Sequence, residues 1–332
     1  MQRLVCSCCW PSDWSQHRHG KGFGRSIVIS VFGRILVENI LPAFAVIGVG
    51  VLADRVLHVD KRGLSRLAIY VLAPCLVFDA IAGSVVEGDQ FWRLVAHLVL
   101  VTIAMCCVSI LVAKLLGWSS KQLNALVLST AFLNSGNLGL SVVFFSLGEA
   151  GLEYAAVFFV MSNLMCNSLA AWFAARGAHQ GNGWRALGQV ARLPGAYAFL
   201  LAMLVRWTGF AVPPLLAKPI GLMGQASVPV MLLLLGMQLS QTKLSARYGQ
   251  VGVGVFLRLV VGTLVALGAA PLVGLQGLPR SVAVLQGSMP TAVTSSLLAI
   301  TFDADADYVT SVVFLTTLLS SISLSLLLSF LL

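Results

Sequence analysis

The chain has 332 residues, of which 58% are hydrophobic and only 10% are charged. In a soluble domain about a quarter of the residues are charged and cover its surface. These proportions therefore exclude a soluble globular protein and indicate a chain solvated by lipid. The net charge is +9, but the basic residues lie mostly in short connectors between apolar segments, where they set membrane orientation. The charge therefore does not indicate a nucleic-acid partner.

The first stretch of the chain, residues 1–33, is mixed, basic and without hydrophobic periodicity. It lacks the apolar core that a secretory signal carries before its cleavage site. We expect it to be a disordered tail, or the product of a mis-set start codon. Cys6, Cys8 and Cys9 fit no zinc-binding spacing well, so the sequence predicts no metal site, and it predicts no cofactor.

The remainder divides into ten apolar segments. Each is long enough for a helix that crosses a hydrocarbon core about 30 Å thick, and none alternates as a membrane barrel strand would. The sequence therefore predicts an all-α integral membrane protein with ten transmembrane helices. We place the segments near 34–53, 63–83, 91–116, 121–148, 150–175, 191–211, 214–239, 248–273, 279–302 and 306–331.

The two halves of the chain resemble each other, which predicts a repeat of five helices in residues 34–175 and again in 191–332, joined by a polar connector at 176–190. Because five is odd, the second copy enters the membrane from the opposite side, and the repeats are inverted. A single shift of 154 positions pairs Gly136 with Pro290, Glu149 with Asp303, Glu153 with Asp307 and Tyr154 with Tyr308.

The basic residues of the connectors predict the orientation. Eleven lie on one side and four, Arg93, Arg206, Lys218 and Arg280, lie on the other. Since cytoplasmic loops carry the excess of Lys and Arg, the richer side should be cytoplasmic. That side carries Arg55, Lys61, Arg62, Arg66, Lys114, Lys121, Arg176, Arg185, Arg192, Lys243 and Arg247.

Two of the segments are interrupted near their middles. The fourth contains Asn134, Ser135, Gly136 and Asn137, and the ninth contains Ser288, Met289, Pro290 and Thr291 at the matching place. Glycine and proline weaken or break a helix, and interrupted helices at corresponding positions of two repeats indicate a transporter binding site. We therefore predict that helices 4 and 9 cross and that these eight residues bind substrate. Close packing of small residues is the alternative interpretation.

Other residues are candidates for supporting roles. Asp79 could carry a coupling proton, since ionisable residues inside membrane segments are usually functional, or it could be an interfacial carboxylate at a helix end. Asn163 and Asn167 lie one turn apart and should face the protein interior, where they could line the cavity. Arg258 could snorkel or balance charge near the site. Pro74 and Pro229 are expected helix breaks or hinges, and acidic residues such as Asp305 are expected N-caps.

At these residues the chain resembles the auxin efflux carrier family of membrane transport proteins. The resemblance runs from about residue 34 to the end and is strongest in NSGNLGLSVVFFSLGEAGLEYA and QGSMPTAVTSSLLA, with support from LAPCLVF and SVPVMLLLLGMQLS. It implies ten helices, an inverted repeat, two central crossing helices and a relation to bile-acid/sodium symporter-like folds. Family members carry auxin in plants and are associated with small carboxylates in bacteria. Gly136 stands where the family often has proline, so helix 4 should be less sharply broken.

The sequence therefore predicts a secondary active transporter, not an enzyme, that moves small organic anions by alternating access, coupled to protons or driven by a gradient. We expect it to be a multi-pass protein of the bacterial inner membrane. Its expected partners are the small organic anion and the lipid bilayer, and the sequence is compatible with a homodimer. The alternatives are a sodium-coupled uptake symporter and a membrane receptor that does not transport.

Overall fold

The computed structural model describes residues 32–83, 88–166, 194–242, 245–301 and 305–332. Residues 1–31 of the predicted tail, the predicted connector 176–190 and Asn167 lie outside these ranges. The first described residue, Phe32, is already helical, two positions before the boundary that we placed at residue 34.

The described residues fold as helices, and their only strand-like pairing is a single isolated bridge between Leu133 and Thr291. The prediction of an all-α protein is confirmed. The helices are α1 (Phe32–Leu57), α2 (Lys61–Ala82), α3 (Gly88–Leu115), α4 (Ser120–Thr130), α5 (Ser135–Met165), α6 (Pro194–Thr208), α7 (Pro214–Leu239), α8 (Tyr248–Leu272), α9 (Gly277–Gly287), α10 (Val293–Thr301) and α11 (Ala306–Leu331).

Seven of these helices, α1, α2, α3, α5, α7, α8 and α11, are each long and apolar enough to cross a membrane. The chain is therefore a multi-pass membrane protein, as its composition predicts. The shorter helices α4, α9 and α10 border the two interruptions. The arrangement of ten spans in two inverted repeats remains a prediction.

Side chains satisfy several helix ends that would otherwise leave N–H groups unpaired. Ser119 and Gln122 form a capping box at the start of α4, and the Asp60 carboxylate accepts from the N–H groups of Arg62 and Gly63 at the start of α2. Asp305 accepts from the N–H of Tyr308 at 3.4 Å, which confirms its predicted role as an N-cap.

The backbone turns at Gly148, so α5 consists of two helical stretches, residues 135–147 and 149–165. The Gly148 φ of 67° and ψ of −164° lie outside the regions that L-residues adopt, so glycine is required at this bend. The bend falls at the boundary that we predicted between the fourth and fifth segments.

The two prolines predicted to be helix breaks or hinges both lie inside continuous helices. Pro74 lies in α2 directly after a wider π-helical turn, Ala68–Leu72. That turn absorbs the missing N–H and the clash that proline would cause with the preceding turn. Pro229 lies within α7, which continues through it to Leu239. The helices are therefore continuous at both prolines, and a hinge role for Pro74 and Pro229 stays a prediction.

The helix core is assembled around α7, which packs along α1 and α2, while α6 packs on α2. Glycines allow the closest of these approaches. Gly50 of α1 lies against the backbone carbonyl of Leu233 in α7, and Gly236 of α7 lies against that of Ile47. Because neither glycine has a side chain, the two helix backbones can touch. The helix α7 also packs against the start of α5, beside the first interruption.

Candidate functional site

The interruption between α4 and α5 lies directly against the interruption between α9 and α10. The N–H of Asn134 donates to the Pro290 carbonyl at 2.8 Å, and the N–H of Ala292 donates to the Phe132 carbonyl at 3.0 Å. These two bonds form a short antiparallel pair. We call the paired segments, residues 131–134 and 288–292, the crossing. Unwound backbone is tolerated inside a membrane protein only where partners satisfy it, and here each interruption supplies partners for the other.

Thr291 strengthens the crossing through both its side chain and its backbone. Its hydroxyl donates to the Ser129 carbonyl in α4 at 2.5 Å, and its N–H donates to the Thr316 hydroxyl of α11 at 3.3 Å. The side chain of Thr291 is fully buried. The crossing is thus a fixed structural element that joins helices from both halves of the chain.

A buried arginine caps the C-terminal ends of two helices on one side of the crossing. The Arg258 side chain, from α8, has no solvent exposure. One of its terminal nitrogens donates to the carbonyl of Thr130 at 2.9 Å, where α4 ends. The other donates to the carbonyl of Gly287, where α9 ends. One guanidinium therefore binds the C-terminal ends of both helices that enter the crossing.

A cavity of about 210 Å³ lies at the opposite helix ends, where α5 and α10 begin. Residues 133–137 line it at the start of α5, and residues 292–294 and Leu297 line it at the start of α10. The rest of the wall comes from α2, the second half of α5, α6 and α7. Those other helices contribute Ser65, Ala68, Ile69, Ala73, Phe159, Val160, Ser162, Asn163, Leu164, Cys166, Pro194, Gly195, Ala196, Met231, Leu234 and Gln238.

The cavity wall is uncharged but offers polar atoms. The amide nitrogen of Asn134, whose side chain is buried, has no hydrogen-bond partner among the described residues, nor has the amide oxygen of Gln238. The hydroxyls of Ser135 and Ser162 bond to each other, and that of Ser162 also donates to the Phe159 carbonyl at 3.1 Å. A buried amide without a partner is costly, so the Asn134 amide nitrogen keeps an unused capacity to donate a hydrogen bond.

The sequence model of the membrane transport protein family matches residues 35–181 and 186–328, which is most of the chain. The chain belongs to the membrane transport protein family. This confirms the resemblance seen in the sequence.

Curated relatives agree with this assignment. An uncharacterized transporter of Methanothermobacter thermautotrophicus is 30% identical over 301 residues, which cover 90% of this chain and 95% of that protein. An uncharacterized transporter of Methanocaldococcus jannaschii is 25% identical over 274 residues, covering 79% of this chain and 87% of that protein. Neither name specifies a substrate.

In this transporter the eight residues predicted to bind substrate fall into two groups. Asn134, Ser135, Gly136 and Asn137 line the cavity, together with Asn163. By contrast, residues 288–291 are buried inside the crossing, away from the cavity wall, and the residues immediately after them line it instead. The predicted pairing of the two interruptions is thus present, whereas a substrate-binding role for either group stays a prediction. The second group comprises Ser288, Met289, Pro290 and Thr291.

The remaining candidates among the described residues do not line the cavity. Asp79 is exposed on α2, and its carboxylate faces Gly221 of α7. Pro74 and Pro229 do not line the cavity either. If Asp79 carries a coupling proton, it therefore does so without contacting a substrate bound in the cavity.

Sequence reasoning missed Gln238 and Ser162, and it gave Arg258 only a general role. Gln238 carries a signal that could have identified it, because an amide near the end of an apolar helix needs a polar neighbour. Ser162 carries no such signal, because serines are common in membrane helices.

Proposed function

We propose that this transporter is a secondary active carrier that moves small organic anions, in particular carboxylates, across the membrane by alternating access. The observation that carries the proposal is the meeting of two helix N-termini at one cavity. Each N-terminus presents about half a positive charge, so α5 and α10 together offer about one. A cavity built this way, with no charged side chain on its described wall, suits a single carboxylate.

The amide and hydroxyl groups of the wall complete the proposed anion site. The Asn134 amide can donate to a carboxylate oxygen, and the N–H groups of the first turn of each helix supply further donors. The wall is otherwise mainly apolar, with Phe159 and Met231 among its residues. It can therefore pack against the non-polar part of a small organic acid.

The proposed architecture is ten spans in two inverted repeats, and two features support it. If α6 and α7 repeat α1 and α2, then the contact of α1 with α7 and the contact of α6 with α2 are equivalent under the symmetry of the repeat. The family match also falls into two stretches, and its gap at residues 182–185 lies in the predicted connector.

We propose that this conformation faces the cytoplasm. The cavity is lined by the start of α2 and α6 and by the end of α5 and α7. In an antiparallel bundle these ends lie on one side, which is the side rich in Lys and Arg and thus predicted to be cytoplasmic. In the second state of the alternating-access cycle, the same residues would open to the opposite side.

Labelling tests the orientation. In a background without native cysteines, a single cysteine at Arg185 should react only with reagents applied from the cytoplasmic side. A cysteine at Gly209, just after α6, should react only from outside and serves as the matched control. The reverse pattern would contradict both the topology and the assignment of the cavity to the cytoplasmic side.

Coupling is proposed to be to protons or to an existing substrate gradient, with Asp79 as the proton carrier. Asp79→Asn should abolish flux driven by a proton gradient but leave exchange of labelled for unlabelled substrate intact. Glu38→Gln is the matched control, since Glu38 is also an exposed carboxylate in a membrane helix, paired with Arg34 at 3.2 Å. Normal proton-driven flux in Asp79→Asn would leave Asp79 as an interfacial carboxylate.

The decisive test of function is flux in proteoliposomes. Purified protein should accumulate one or more members of a panel of mono- and dicarboxylates, faster than protein-free liposomes and in response to an imposed gradient. Binding of a carboxylate without net flux or exchange would instead indicate a receptor. Absence of both binding and flux across the panel would contradict an organic-anion carrier.

A further inference from the structure

The side of the crossing opposite the cavity is electrostatically unusual. The helices α4 and α9 each contain 11 residues, and both end there. A helix C-terminus carries about half a negative charge, so the two ends together present about one. In carriers with broken helices, such converging C-terminal ends and unwound carbonyls are where a coupling cation such as Na⁺ binds.

In this protein the position is already occupied by a side chain. The guanidinium of Arg258 donates to the last carbonyls of α4 and α9, and it reaches them from the π-helical turn Leu257–Val261 of α8. Arg258 has no carboxylate partner among the ion pairs of the described residues. Its counter-charge is therefore the pair of helix ends, since an unpaired buried charge would be very costly.

The surrounding residues make room for this guanidinium. A Cβ atom added at Gly262 would lie 3.2 Å from Cζ of Arg258 and 3.4 Å from Nη2. A side chain at position 262 would therefore press on the guanidinium, which would have to shift by a few tenths of an ångström. At Gly287 an added Cβ would lie 2.9 Å from the Cβ of Ala266, so glycine also keeps α9 close to α8.

We propose that Arg258 is the resident cation of the crossing: it takes the place of a coupling Na⁺, so the transporter binds and moves its substrate without Na⁺. Arg258 is a positioning residue, because it contacts the helix ends and not the cavity. Its charge holds the ends of α4 and α9 together, and this fixes the starts of α5 and α10 on the other side. The inference rests on the proposed carrier function, and it disfavours the sodium-coupled alternative.

The first test uses the unmodified protein. Thermal unfolding in detergent and exchange of labelled carboxylate in proteoliposomes are measured in Na⁺, K⁺ and choline at equal ionic strength. Both readouts should be the same in the three salts. A stabilisation or an acceleration specific to Na⁺ would overturn the proposal, since the cation position would then be open to the ion.

The second test removes the side chain and returns its charge as a free ion. Arg258→Ala should lower the exchange rate by about 100-fold, because a buried charged interaction is lost, and it should lower the unfolding temperature. Low-millimolar guanidinium should restore much of both, whereas urea, which has the same shape but no charge, should not. Equal rescue by urea, or a wild-type rate without rescue, would overturn the proposal.

The matched control is Arg93→Ala. Arg93 also donates to a backbone carbonyl, that of Gly274 at 2.6 Å, but it lies outside the crossing and pairs with Asp89 at 2.7 Å. Guanidinium should have no larger effect on exchange or stability in this variant than it has in the wild type. Specific rescue of Arg93→Ala would show that the effect is general and would contradict the assignment to Arg258.

A further pair of variants keeps the test decisive if Arg258→Ala does not fold. Arg258→Lys retains the charge, and Arg258→Gln retains length and a donor without charge. The Lys variant should be the more stable and, in exchange, the more active. A Gln variant equal to or better than the Lys variant would overturn the proposal. If no carboxylate is exchanged even by wild type, the proposed function fails, but the unfolding measurements still decide the role of Arg258.

Discussion

Asn134→Ala is expected to weaken carboxylate binding by about 10- to 100-fold, the range that loss of one charge-assisted hydrogen bond produces. The backbone of Asn134 is held in place by its bonds to Pro290 and Gly139, and these do not involve the side chain. The side-chain amide nitrogen has no partner among the described residues. Removing this amide should therefore leave the crossing intact and weaken only the binding of substrate.

The measurement is equilibrium binding of a transported carboxylate by calorimetry, with thermal unfolding of the empty protein as a check. Asn124→Ala is the matched control. Asn124 is also a buried asparagine, but its side chain donates to the Ser120 carbonyl at 2.8 Å and does not line the cavity. Unchanged affinity in Asn134→Ala, or an equal loss in Asn124→Ala, would contradict the anion site.

The place of the two interruptions could be predicted because it depends on local chemistry. Glycine, asparagine and proline in an apolar segment weaken the helix wherever it lies, and the matching positions of Gly136 and Pro290 identified the pair. Which side chains face the cavity could not be predicted. That depends on how the two interrupted segments pair. The bridge between Leu133 and Thr291 places residues 288–291 inside the crossing, and the residues after them line the cavity.

The role of Arg258 shows a second limit of sequence reasoning. A lone arginine in an apolar segment must find a polar partner, so its importance could be inferred. Its partners lie 128 and 29 residues away along the chain, and they are backbone carbonyls, which any sequence offers. That α2 continues through Pro74 could not be predicted for a related reason, since a π-helical turn of ordinary residues accommodates the proline.

The largest loss of stability is expected where α1 and α7 touch. Gly50→Ala and Gly236→Ala should each destabilise the transporter by about 3 kcal/mol or more, at the upper end of overpacking effects. The added Cβ would overlap the Leu233 carbonyl in the first case and the Ile47 carbonyl in the second. These are backbone atoms, which cannot move to another rotamer as side chains can, so the two helices would have to separate.

Gly48→Ala is the control for both variants, because it makes the same chemical change on the same helix. Nothing lies within 4 Å of a Cβ added at Gly48. Alanine there should be neutral or slightly stabilising, since it is the better helix former by about 1 kcal/mol. Thermal unfolding in detergent and the yield of monodisperse protein would measure all three. If Gly236→Ala unfolded at the wild-type temperature, α1 and α7 could not be in backbone contact, and the packing that positions the cavity wall would have to be different.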